Sequence, residues 1–298
     1  MKKLSLIAVL VMGMLTFMAG SAFAFGGPHQ PFSATNNDGC AGCHVTHAAK
    51  GAKLLTTASQ TDFCFVCHNG SQSVLDAKDG LNYSSGIGHY ATAGGFNASA
   101  VSASASNDAV APHTSMHSLG NTGNIPGGGI GITGGLQCGS CHNPHGTANA
   151  RILKTTVNGV ATSPITMNVT NGVVIAYTGG INQWCASCHT RFNVAQGSGH
   201  TADATNMYRH SMGVSAVLPV GANGDIITGT PLENGNVACL TCHRAHGSTA
   251  NMPGLYSGIN AIQRDDGTSA VLGSVLLRMD NRGVCFNCHN GATANLPQ

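Results

Sequence analysis

Hydrophobic positions along the 298-residue chain are dense at one end and scattered elsewhere. Lys2 and Lys3 precede an apolar stretch from Leu4 to Met18, and Ala22-Phe23-Ala24 offers a small-x-small cleavage site before Phe25. Residues 1–24 therefore read as a secretory signal peptide, with an apolar run too short for a membrane span. No later span follows, and no Cys precedes Cys40, so the new N-terminus has no site for lipid attachment. In the rest of the chain Leu, Val and Ile are spread thinly among Gly, Ala, Ser, Thr and Asn. The pattern predicts a short strand near Gly172-Val-Val-Ile-Ala-Tyr177 and a loop at Pro126-Gly-Gly-Gly-Ile-Gly131, with few other regular elements.

Composition sharpens this picture. Only 8% of residues are charged and 5% aromatic, with one Trp, five Tyr and nine Phe, so a large side-chain core is excluded. Intrinsic disorder fits poorly as well, because the chain is 42% hydrophobic and nearly neutral. Removing Lys2 and Lys3 from the 13 basic residues leaves 11, equal to the 11 acidic ones, so nucleic acid and anionic membranes are not expected partners. Something other than side chains must fill the interior.

The cysteines supply it. All 12 fall into Cys-x-x-Cys pairs followed directly by His: Cys40/Cys43/His44, Cys64/Cys67/His68, Cys138/Cys141/His142, Cys185/Cys188/His189, Cys239/Cys242/His243 and Cys285/Cys288/His289. Structural zinc would need two such pairs per tetrahedral site and no adjacent His. Six Cys-x-x-Cys disulfides would be redox-active and strained, which is out of place in an exported structural protein. The Cys-x-x-Cys-His run is instead the attachment motif of c-type haem: two thiols add across the vinyl groups of one haem, and the next residue turns its imidazole under the iron. Six covalently attached haem c groups are expected, with those six His as proximal ligands. An exported chain matches where such haems are attached.

Nine further His are available for the opposite axial positions: His29, His47, His89, His113, His117, His145, His200, His210 and His246. Met is the rival ligand, but none recurs in a fixed relation to the motifs. The supply favours two His at every iron.

These His are patterned. His47, His145 and His246 each lie three residues past a proximal His, and only in the first, third and fifth motifs. The chain is accordingly three repeats of a two-haem unit, at about 25–90, 110–195 and 205–298, within one domain covering 25–298. Lys53-Leu-Leu, Arg151-Ile-Leu and Val275-Leu-Leu-Arg278 follow the odd motifs at corresponding places. A His three residues past a proximal His sits on the same side of that haem, so it must ligate a different one. One short peptide then clamps two macrocycles together. His145 reaches back most simply to the haem at Cys40/Cys43, and His246 to the haem at Cys138/Cys141. No haem precedes His47, so its natural target is the Cys239/Cys242 haem of another copy, a heterologous contact that generates an open filament unless its rotation closes. Folding back onto its own chain, or simple solvation, is the other reading of His47. His29, His117 and His210 precede the odd motifs in equivalent places and are assigned to the haems at Cys64/Cys67, Cys185/Cys188 and Cys285/Cys288. His89, His113 and His200 have no repeat relation; they are expected to be solvated or to contact propionates, with His200 the substitute for His210, and His89 or His113 for His117.

The motif series Cys-Ala-Gly-Cys-His-Val-Thr-His, Cys-Gly-Ser-Cys-His-Asn-Pro-His-Gly, Gln-Trp-Cys-Ala-Ser-Cys-His-Thr and Cys-Leu-Thr-Cys-His-Arg-Ala-His resembles the OmcS-like hexahaem outer-surface c-type cytochromes, which polymerise into extracellular conducting filaments in metal-reducing bacteria. The resemblance covers the six motifs from Cys40 to His289, with shorter loops between Trp184 and Cys239 and after His246. It implies that His47 ligates the fifth haem of a neighbouring subunit, and that other cytochromes or extracellular metal oxides are the redox partners.

Removing the first 24 of 298 residues leaves 274 for six haems, too few for an independent protein core around each. The expected fold is mostly irregular coil with short helical turns at the motifs, few strands and a haem-stacked core. The expected function is electron transfer through a continuous chain of bis-His haems, at the cell surface or beyond it. A monomeric shuttle shares that chemistry. A multihaem reductase would need an open coordination position and acid, base or oxyanion-stabilising groups beside it, and no motif here replaces its proximal His.

Overall fold

A computed structural model of the chain describes residues 29, 38–84, 89–99, 112–123, 125, 128, 132–170, 173–192, 200–202, 208–210, 212–213, 231–250, 262–263, 269–270, 276–279 and 283–286. The proposed leader, residues 1–24, and most of the Pro126–Gly131 stretch lie outside the described residues.

Each attachment motif sits on a short helix or at its end. The first occupies a 3₁₀ turn, Asp38–Gly42, and the others occupy or adjoin α1 (Gln60–Cys67), α2 (Cys138–Cys141), α3 (Ile181–Ala186), α4 (Cys239–Cys242) and α5 (Gly283–Phe286). A turn of helix brings two Cys three residues apart onto one face. Local chemistry starts these turns. Ser59 caps α1 by accepting from the Asp62 amide at 3.0 Å. In α2 and α4 the hydroxyl between the two Cys accepts from the amide just before the first: Gln137 to Ser140 at 3.0 Å, and Ala238 to Thr241 at 2.9 Å.

After each odd motif the chain returns antiparallel to it. The amide following the proximal His donates to a residue of the return segment: Val45 to the Leu54 carbonyl at 2.8 Å, Asn143 to Ile152 at 2.8 Å, and Arg244 to Leu276 at 2.7 Å. All three acceptors have left-handed backbone, with φ of 56°, 50° and 65°. That conformation is uncommon for aliphatic residues, so its recurrence marks the three places as structurally equivalent.

The sheets are small. Leu75–Asp76, Leu81–Asn82 and His89–Tyr90 form an antiparallel trio, and Ser115–Met116 pairs antiparallel with Gly247–Ser248. Val173–Tyr177, the strand expected from sequence, pairs antiparallel with Met167–Thr170 and parallel with Leu232–Glu233. Ile165, Tyr177, Ile181, Ala238 and Leu240 pack together with Trp184 against them, the one apolar cluster among the described residues. Glu233 accepts from the first amides of α3, Ile181 at 3.1 Å and Asn182 at 3.2 Å, while Asn182 accepts from the Cys239 amide at 2.7 Å. The fourth and fifth motifs are thereby tied together. No helix among the described residues is long and apolar enough to cross a membrane.

Candidate haem-binding sites

Three of the imidazoles assigned as proximal ligands, His44, His68 and His142, are fixed from behind. His44 donates through Nδ1 to the Lys53 carbonyl at 2.8 Å, His68 to Leu75 at 3.0 Å, and His142 to Arg151 at 2.9 Å. A backbone acceptor at Nδ1 fixes the ring and its tautomer, and leaves Nε2 as the free ligating nitrogen. Two of these acceptors, Lys53 and Arg151, lie nine residues beyond their His on the return segments.

A second imidazole faces each of four proximal rings. His44 and His145 have ring centroids 6.1 Å apart, His29 and His68 6.1 Å, His142 and His246 6.1 Å, and His117 and His189 6.0 Å. Two imidazoles bound on opposite sides of one metal ion, each at about 2 Å, have centroids about 6 Å apart. The rings brought together are those the sequence assigns to the first four haems. His29 and His117 are oriented in turn by Nδ1 bonds to the carbonyls of Pro144 at 3.0 Å and Ala245 at 2.6 Å.

Burial keeps several of these rings neutral, the form that ligates a metal. It lowers the pKa of His117 and His142, and it takes His246 down to about 3, helped by nearby His142. His246 stacks on Phe96, with ring centroids 4.7 Å apart, and packs against the Gly94 backbone.

The thiols form a series. Cys43 is raised by burial and by nearby Cys67, and Cys141 is pushed up to about 12 by burial and by Cys188. A hydrogen bond between Cys64 and Cys138 raises the first and holds the second at about 7; one between Cys185 and Cys239 acts the same way in direction. Consecutive attachment points from the first motif to the fifth are therefore neighbours in space.

The remaining candidates divide. His47 is exposed. His113 is not solvated: it is buried, with Nδ1 bonded to the Asn97 carbonyl at 2.7 Å, and Nε2 to the Gly95 amide at 2.9 Å and the Tyr90 hydroxyl at 3.2 Å. Both nitrogens are used in folding the 90–97 segment, so it does not substitute for His117. His89, His200 and His210 are described only as backbone, in the strands His89–Tyr90, His200–Ala202 and Tyr208–His210, the last two paired antiparallel with each other. The His243 backbone bridges to Leu277. Cys285 is described only as helix backbone, and Cys288 and His289 lie outside the described residues. Sequence reasoning missed the acceptor carbonyls at Pro144 and Ala245, Phe96 behind His246, and the neighbouring arginines Arg244 and Arg278. The signal for the first was the fixed place of Pro144 and Ala245 just before His145 and His246.

A family model for the doubled CXXCH motif matches residues 29–73 and 131–160. This match supports a multihaem c-type cytochrome. The matched segments contain the first three motifs, His29 and the return segment at Arg151, so they cover two of the facing ring pairs completely. The doubled motif indicates covalently bound c-type haem, and with it electron transfer. No curated protein and no solved structure matches the chain. The residues fit the group: paired thiols, an adjacent imidazole locked by a carbonyl, and a second imidazole across from it.

Proposed function

We propose that the chain binds six haems, each iron held between two His, and conducts electrons along them from copy to copy of a head-to-tail polymer outside the cell. The haems supply one-electron chemistry through their irons. The chain's own part is positional. His44/His145, His68/His29, His142/His246 and His189/His117 would each hold an iron between two imidazoles and leave no position there for a substrate, which favours a conduit over a reductase. The neighbouring thiols of successive motifs set the spacing.

The observation that carries the polymer is a junction repeated within the chain. The peptide 142–145 of the second unit sends His145 to the first unit and accepts from His29 at Pro144. The peptide 243–246 of the third unit sends His246 to the second and accepts from His117 at Ala245. The corresponding peptide of the first unit, 44–47, is built alike, yet Thr46 and His47 are exposed. A third unit from another copy would complete it: His47 would ligate the Cys239/Cys242 iron of the neighbour, with His210 holding the same place in sequence as His29 and His117.

Negative-stain electron microscopy of the native secreted protein, with haem content measured by absorbance, tests this. Filaments a few nanometres wide are expected from the native chain and discrete particles from His47→Ala. Discrete particles from the native chain, or filaments from His47→Ala with all haems low-spin, would overturn the polymer and return His47 to a haem within its own chain.

A further inference from the structure

Arg278 is buried and Arg244 half-buried beside it, with no carboxylate counter-ion among the described residues. Arg278 is 8% exposed; its Nε donates to the Leu240 carbonyl at 2.7 Å and its Nη1 to the Thr92 carbonyl at 3.0 Å. Arg244 donates through Nη1 to the same Thr92 carbonyl at 3.1 Å and to Ala91 at 2.9 Å, with its guanidinium 4.2 Å over the Tyr90 ring. Two cations thus share one neutral acceptor. No carboxylate of the described residues reaches either; nearby Asp79 accepts from Asn97 at 2.8 Å. Burial, and then the neighbouring Arg244, push Arg278 down to about 9. Unpaired charge away from water is unfavourable, and two like charges side by side more so, so among the described residues the pair lacks the anion it favours.

We infer that Arg244 and Arg278 form a partly buried double-cation site for a haem propionate. Guanidinium matches a carboxylate in shape and donor spacing. Position points to haem as its source. The Arg278 amide donates to the Cys242 carbonyl at 2.9 Å, and Arg244 follows the proximal His243 in the peptide that sends His246 to His142. The pair thus stands beside the fifth motif, in the peptide whose His246 reaches the third, and the propionate comes from one of those two haems. The equivalent residues are Val45 and Thr56 in the first unit and Asn143 and Lys154 in the second, so the pair belongs to the third unit alone.

The inference rests on haem being attached at these motifs, and the test separates the two. Arg244→Gln, Arg278→Gln and the double variant are purified as holoprotein, counted for covalent haem, and titrated electrochemically beside Arg→Lys controls. A full haem complement is expected, with one redox step of the double variant displaced downward by tenfold or more in its equilibrium constant, about 59 mV for a one-electron couple, and largely restored by Lys. A packing role alone would lower thermal stability and leave every potential in place, and that result would overturn the inference. The wild-type holoprotein, solved by electron cryo-microscopy, gives a reading independent of the variants. A propionate of the Cys138/Cys141 or the Cys239/Cys242 haem within hydrogen-bond distance of both guanidiniums is expected, and the density identifies which. Arginines meeting only water or a free anion, in a fully haem-loaded chain, would overturn this inference alone; absent haem would overturn both.

Discussion

His117 donates through Nδ1 to the carbonyl of Ala245 at 2.6 Å, across the boundary between the second and third units. The same ring lies 6.0 Å from His189. One imidazole therefore both completes a pair around an attachment site and fastens one unit to the peptide that clamps the next.

Replacing it should break both functions. His117→Ala is expected to convert one haem to high-spin in the otherwise loaded chain and to cost about 1–3 kcal/mol, because the Ala245 carbonyl is left without its donor. Electron paramagnetic resonance with a thermal melt checks this. Six low-spin haems at unchanged stability would contradict it.

Close backbone approach holds the third clamp in place. A β-carbon at Gly247 would overlap the Gly95 carbonyl oxygen, and one at Gly94, where φ is +73°, would overlap the Gly247 carbonyl oxygen. Gly247→Ala is expected to lower stability by about 1–3 kcal/mol through overpacking, and to disturb the neighbouring His246. Thermal unfolding of the holoprotein measures the effect; a variant as stable as the wild type would show that the segment is loosely held.

The left-handed return positions yield an opposite expectation. Leu54 has φ 56° and is 40% exposed, so it carries a conformational cost with little burial to offset it. Asn accepts that conformation more readily, and Leu54→Asn should stabilise by about 1 kcal/mol, raising Tm by roughly 2–4 °C. A lowered Tm would mean that the Leu54 side chain makes contacts that outweigh the backbone cost.

The small apolar cluster around Ile165 and Leu240 is too little to hold so long a chain, and the attachment sites lie between the elements rather than on a separate core. A chain made without haem attachment should therefore be unfolded by circular dichroism. Compact, native-like structure in the haem-free chain would be the contrary result.

The candidate sites were legible because the chemistry they imply depends on covalent spacing. Cys-x-x-Cys-His, the extra His three residues on, and the equivalent places of His29 and His117 are written in residue numbers, and the facing rings of His145, His246, His29 and His117 follow that numbering. What tertiary packing decides was not legible. Two-residue strands such as Ser115–Met116 and Gly247–Ser248 carry no period to detect. The left-handed backbone at Leu54, Ile152 and Leu276 has no Gly or Asn to announce it. His113 resembled any spare His until three neighbours, Gly95, Asn97 and Tyr90, were seen to consume its nitrogens. Arg244 and Arg278 lie far apart in sequence and meet only at the Thr92 carbonyl.

The most direct test of the account is axial ligation in the assembled protein, read by near-infrared magnetic circular dichroism of the oxidised holoprotein with covalent haem counted in the same sample. Six low-spin bis-His haems per chain are expected in the native assembly, and five of six, with one high-spin haem, in His47→Ala. A high-spin or Met-ligated haem in the native assembly, or six bis-His haems retained by His47→Ala, would contradict it.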